Sequence, residues 1–204
     1  MKHCFCKAVS ITIFSLSTSI IFAQSSAYQD VPPGKVFEGK ILNITAPNSE
    51  GWKLAKADSS GMAFGRRLPE KIKESTIASV AVFAAPQTDI PDEFEAAIVN
   101  SAKVDANNER FTTSTFTHKF TNVRGYPCVQ IQNISEDKNA QTSPTTTETQ
   151  IIQNEHLYCR HPSQRNLGFA ISYSHRGFSQ NKDFSKEAAS FIEGVFVPST
   201  TTSK

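Results

Sequence analysis

The chain has 204 residues, of which 38% are hydrophobic, 20% charged and 10% aromatic. That is the make-up of an ordinary globular protein of one domain, and it excludes a disordered, fibrous or many-spanning membrane chain. Two of the 21 Lys and Arg residues, Lys2 and Lys7, fall in an N-terminal leader, and the remaining basic groups equal the 19 acidic ones. A balance near zero gives no general attraction to nucleic acid or anionic lipid, so no nucleic-acid partner is expected without a local basic patch.

Residues 1–23 run from Lys2 and Lys7 through an apolar stretch to the small residue Ala23. This is the pattern of a secretory signal peptide, with Ala23–Gln24 as the favoured cut and Ala27 as a second small-residue site. The stretch is too short and too diluted by Ser and Thr to span a bilayer, which takes about 20 apolar residues. No cysteine follows it and no Arg-Arg pair precedes it, so neither a lipid anchor nor twin-arginine export is expected. The mature protein should be soluble, exported by the general secretory route to the periplasm or beyond, with no transmembrane segment after cleavage.

Export removes Cys4 and Cys6 and leaves Cys128 and Cys159. Two cysteines in an oxidising compartment point to one disulfide. Each lies in a strand-like run, and the polar stretch 135–149 between the runs reads as the loop of a long hairpin. If Cys128 faces Cys159, the hairpin centre falls near residue 143, inside the Ser-Pro-Thr-Thr-Thr segment. Facing antiparallel residues have Cα atoms about 4.5 to 5.5 Å apart, which suits a disulfide. Closing a loop of about thirty residues stabilises by about 3 kcal/mol in the chain-entropy model.

Along the mature chain, residues 24–34 are polar with Pro32 and Pro33 and read as an irregular arm. A single α+β domain is expected over 35–198. Strands are predicted at 40–46, 52–56, 62–66 and 76–85. In the last of these, small apolar residues alternate on both faces, which suits a central strand covered on both sides. Phe94, Ala97, Ile98 and Ala102 then fall at helical spacing, with Asp89 and Pro91 as start signals for a helix over 88–102. Its acidic residues Asp92, Glu93 and Glu95 fit the positive end of the helix dipole better than a catalytic role. Strands follow at 111–120, 126–134, 151–161 and 167–173, the last placing Leu167, Phe169, Ile171 and Tyr173 on one buried face. Phe184, Ala188, Phe191, Ile192 and Val195 form the stripe of a final helix, and 199–204 is a disordered tail. The expected fold is α+β, a mostly antiparallel sheet covered by two helices.

This order of elements, with Ile44, Pro47, Gly51 and Trp52 near the start and a helix at 184–195 near the end, resembles the PsbP/DcrB-like superfamily. The resemblance implies an α/β/α sandwich, commonly exported or lumenal, and an accessory, assembly or stress role without a shared catalytic centre. It carries no functional residue onto this chain, because the Pro-Gly-Trp segment is a packing motif. The disulfide hairpin is not expected of the whole superfamily and marks a separate exported branch. Fold alone does not establish function.

The chain has no G-x-S-x-G, H-E-x-x-H, G-x-x-x-x-G-K-[ST], G-x-G-x-x-G or EF-hand motif, which removes the common hydrolase and nucleotide sites that carry them. Glu155, His156, Cys159 and His161 resemble a zinc set in the linear sequence. In a strand, however, His156 points away from the others, and a disulfide takes the Cys159 thiolate, so no metal and no cofactor is expected. The same register sets Tyr126 opposite His161, with Arg124, Arg160 and Arg165 at that end. Such a group can hold phosphate or carboxylate. The plainer reading, preferred here, treats the three arginines as solvated turn residues. His175 and Arg176 lie about eight residues along the strand from Leu167, roughly 26 Å away, at the other end of the sheet. His175 there reads as a strand-end histidine, and His118, alternating with Phe116 and Phe120, needs no ligand. The sequence thus favours a non-enzymatic exported accessory or binding protein of the envelope, with an envelope protein as its expected partner. The rival is a small exported hydrolase or anion-binding enzyme built on Tyr126, His161 and Arg160.

Overall fold

The computed structural model describes residues 28–67, 74–106, 109–138 and 149–198. The leader with its Ala23–Gln24 cut, the first residues of the arm, the hairpin centre near 143 and the tail 199–204 lie outside the described residues. In chain order the elements are β1 (Gln29–Asp30), β2 (Val36–Phe37), β3 (Asn43–Thr45), β4 (Trp52–Asp58), β5 (Gly61–Arg66) and β6 (Ser75–Ala84). Helix α1 (Pro91–Ala106) follows, then β7 (Phe111–Thr121), β8 (Cys128–Asp137), β9 (Gln150–Arg160), β10 (Leu167–Gly177), α2 (Phe184–Glu193) and β11 (Val195–Phe196). One sheet has eight strands in the order β1-β4-β5-β6-β10-β9-β8-β7, and every pairing in it is antiparallel. A second sheet orders β11-β3-β2. Among the described residues the fold is α+β, a large antiparallel sheet with two helices.

The long elements lie where the hydrophobic patterns put them, and the differences have local causes. The arm is not wholly irregular: Gln29 and Asp30 pair with Leu54 and Lys53, and Val31 is buried. Strands of two or three residues such as β1, β2 and β11 carry no periodicity to read. The first helix begins at Pro91 rather than at 88, because the Thr88 hydroxyl accepts from the Ile90 N–H and donates to Glu93, holding the preceding residues as a turn. Proline suits a first helical position, where its missing N–H costs nothing.

The central place of β6 between β5 and β10 is as expected, but only one of its faces is covered. Thr76, Ala78 and Val80 are buried, whereas Ile77 is 50% exposed and Ala81 is exposed. Helix α1 lies against β7 and β8, and of β6 only Phe83, near its end, packs against the α1 cluster. Its Phe94, Ile98, Val99 and Ala102 pack with Val129 and Ile131. The Phe184, Ala188, Phe191 and Ile192 stripe of α2 packs with residues of the other parity, among them Ile171, Tyr173 and the two cysteines. The face of Phe169, Ile171 and Tyr173 is buried as its alternation predicts.

The hairpin register runs without a shift from Cys128↔Cys159 to Asp137↔Gln150. Two glycines answer to close approaches. A Cβ on Gly61, whose φ is +152°, would stand 2.1 Å from the Val80 carbonyl oxygen. On Gly168 it would meet the Phe83 ring at 2.5 Å, so the aromatic ring of the facing residue lies over the bare backbone.

Candidate functional site

At the disulfide end, Cys128 and Cys159 are joined with their Cα atoms 4.1 Å apart, both fully buried. One rung further, the Arg160 N–H donates to the Pro127 carbonyl, so Tyr126 and His161 lie just past the ladder. Arg160 is only 7% exposed and is not a solvated turn residue. Its guanidinium donates to Asp89 at 3.0 Å, to the Pro86 carbonyl at 2.7 Å and to the Thr88 carbonyl, and stacks 5.0 Å over Phe94. Arg160 therefore clamps the segment that leads into α1. Exposed Arg165 joins it on Asp89.

Arg124 goes elsewhere: it donates to the carbonyls of Ile192 and Val195, both at 2.5 Å, at the end of α2. Ile192 lies in the last turn of α2 and Val195 in β11, so Arg124 ties the helix end to the strand that follows it. Tyr126 stands edge-on to Phe169 at 6.0 Å. His161 is 3% exposed, its Nδ1 accepts from the Ser163 N–H at 3.3 Å, and its Nε2 is buried without a hydrogen-bond partner among the described residues. The expected cluster thus divides into an Arg160–Arg165–Asp89 group, an Arg124 tie at the end of α2, and Tyr126 and His161 packed near the disulfide. Of the linear zinc-like set, Cys159 is in the disulfide and His156 stands on the other face, with its Nδ1 2.8 Å from the Ser172 hydroxyl.

The opposite end of the sheet brings together charged groups that lie far apart in sequence. Arg66 ends β5, Tyr173 and His175 lie on one face of β10, and Glu187 sits in the first turn of α2. Glu187 accepts from the Tyr173 hydroxyl at 2.9 Å, from Asn181 Nδ2 at 3.2 Å and from Arg66 at 3.2 Å. The guanidinium of Arg66 also lies 4.8 Å over the Trp52 ring and donates to the Ser49 hydroxyl. Burial, together with the negative charge of Glu187 and the hydrogen bond to it, pushes the Tyr173 phenol well above its usual range, so it stays a donor. Glu187 is further favoured by its place at the positive end of a helix. Beside this network, His175 Nδ1 is 3.5 Å from Thr76 Oγ1, and its Nε2 is 3.9 Å from Glu74. Arg66, Glu187, Asn181, Glu74, Thr76 and His175, with the loop residues around Gln180, line a cleft of about 400 Å³.

Thr76, His175 and Glu74 stand in the order hydroxyl, imidazole, carboxylate. Activation of a nucleophile calls for contacts of about 2.6 to 3.2 Å. The separations here are longer, and Thr76 is only 6% exposed. What the cleft offers is a wall of both charges held in fixed positions.

No family model matches the chain, and no curated protein matches it. Among solved structures it is similar to the Ran-binding protein Mog1p of Saccharomyces cerevisiae, at 14% identity over 82% of this chain and 96% of that one, with a TM-score of 0.43. It is similar to the cyanobacterial PsbP (CyanoP) of Synechocystis sp. PCC 6803, at 10% identity over 80% and 92%, with a TM-score of 0.44. It is also similar to LpqN of Mycobacterium tuberculosis, a protein involved in cell envelope biogenesis, at 14% identity over 84% and 92%, with a TM-score of 0.45.

No local pattern marks the Arg66–Glu187 network, whose two charged partners stand 121 positions apart. The one readable signal was the parity that continues from Tyr173 to His175. Among the described residues no helix is long and apolar enough to cross a membrane.

Proposed function

We propose that this chain is an exported, non-enzymatic accessory or binding protein of the cell envelope, an α/β/α sandwich of the PsbP-like kind, which takes its partner at the charged cleft. The observation that carries this reading is the Glu187 network. Arg66, Tyr173 and Asn181 fix the carboxylate, and Trp52 and Ser49 fix Arg66 in turn. A wall ordered before binding leaves less conformational freedom to lose when a partner arrives. The cleft carries both signs, which suits a polar segment of an envelope protein bearing both charges. The Cys128–Cys159 disulfide is consistent with maturation in an oxidising compartment.

The test is in-cell photocrosslinking from Lys182 at native abundance, with Lys119 on the edge strand β7 as the comparison position. One recurrent envelope partner captured from Lys182 but not from Lys119 is the expected result. Turnover of a substrate that survives stringent purification, or equal capture from both positions, overturns it.

The second reading, an anion-binding enzyme at Arg124, Tyr126, Arg160, His161 and Arg165, is favoured by the buried Nε2 of His161, which has no hydrogen-bond partner among the described residues. It predicts that His161→Ala abolishes ligand binding or turnover while leaving the melting curve in place. Loss of folding in that variant instead assigns His161 a structural role.

A further inference from the structure

A second cavity, of about 390 Å³, opens on the face of the sheet that bears α1. Its size is within the roughly 300 to 1,000 Å³ of small-molecule sites. Its chemistry differs from that of the charged cleft, because its lining contains aromatic, aliphatic, amide, hydroxyl and imidazole groups and, among the described residues, no Asp, Glu, Lys or Arg. Phe116 and Tyr158 supply aromatic faces. Asn154 and Ser174 face each other across β9 and β10, and neither side chain makes a hydrogen bond among the described residues. An amide and a hydroxyl therefore stand side by side with their capacity unspent. The fifth group is His156, also on β9, whose ring tilts against Tyr158 at 5.8 Å.

We infer that this cavity is a binding site for a neutral, hydroxyl-rich ligand with one apolar face, that is, a carbohydrate. Two arguments exclude the other classes. An ion entering the cavity would lose water and find no opposite charge on the walls. A wholly apolar ligand would bury the Asn154 and Ser174 groups without partners and leave their desolvation uncompensated. A sugar ring instead offers hydroxyls to the amide, the hydroxyl and the imidazole, and lays its C–H face on an aromatic ring. The imidazole belongs to this set as a neutral group. Its environment is a sheet face with the Ser172 hydroxyl on Nδ1 and Tyr158 alongside, and no Asp or Glu stands among the described lining residues to favour a charged imidazole.

The site is separate from the charged cleft. Asn154, His156 and Tyr158 alternate with Gln153, Glu155 and Leu157, and so point to the opposite side of the sheet from Tyr173, which is paired with Glu155.

The test is an NMR titration of the isotope-labelled exported protein with triacetylchitotriose and maltotriose as neutral probes and glucuronate as the charged one. The expected result is saturable shifts, confined to residues of β8, β9 and β10 around Asn154 and His156, with at least one neutral probe and not with glucuronate. Asn154→Ala, in a half-buried position, should weaken that binding about tenfold, the loss expected of one hydrogen bond, without moving the melting temperature. Ser174→Ala serves as the second variant. No saturable shift with either neutral sugar at millimolar concentration overturns the proposal, as does equal binding of glucuronate. Unchanged affinity in both variants also overturns it.

Discussion

Buried polar side chains show how single residues tie this molecule together. Arg160 is a hinge pin, since one guanidinium holds two carbonyls and a carboxylate of the segment 86–89 and rests on Phe94. Arg160→Ala should therefore lower stability by about 2–3 kcal/mol, the scale of hydrogen bonds to a charged group lost together. A urea melt reads that change, and a stability unaltered within error would remove the structural role assigned to Arg160. His156 sets a pH dependence. Burial lowers its pKa to about 4 from 6.5. Between those values the unfolded chain binds a proton that the folded chain does not, so stability falls as pH drops from about 6.5 to about 4 and levels off below. The loss amounts to about 3 kcal/mol at most. Melts from neutral pH to pH 4 check it, with His156→Gln flattening that part of the curve. Legibility at this scale followed distance along the chain. Cys128 and Cys159 could be paired from sequence because each sits in its own alternating run about one loop centre. Arg124 and Arg160 looked like solvated turn residues because nothing near them in sequence names the carbonyls they serve.

Elements were readable where they were long. The strand runs of β4 to β10 and the stripes of both helices follow from period alone. What period does not tell is which neighbour covers an element. The small apolar residues of β6 fit a two-sided strand, and its position in the sheet agrees, yet α1 lies against strands three and four places away and leaves Ile77 open. The candidate cleft was hidden for the same reason, since it forms only where the end of β5, the end of β10 and the start of α2 converge. Within the hairpin, the disulfide joins two strands already paired in register. Replacing both cysteines by Ser should cost about 3 kcal/mol if the chain-entropy account holds for the enclosed loop. Chemical denaturation of the double variant measures it. A loss below about 1 kcal/mol would mean that the facing strands alone hold the loop nearly as tightly.

At the scale of the whole molecule, the two sheets join what the chain keeps apart. β6 pairs on one side with β5, its near neighbour in sequence, and on the other with β10, so that Ala84 faces Leu167. The small sheet does the same at its ends, setting Val195 against Ile44. Pairings between such distant segments form slowly, because a long loop must close before any contact rewards it. A chain that leaves a ribosome or a channel with its N-terminus first therefore presents the apolar row of Ala78 and Val80 well before β10 or α2 exists to shield it. Fragments ending before Leu167 should stay open to protease throughout their length, whereas the full chain closes in one late step. For as long as its last third is still arriving, this protein depends on whatever else in its surroundings can hold an unfinished sheet.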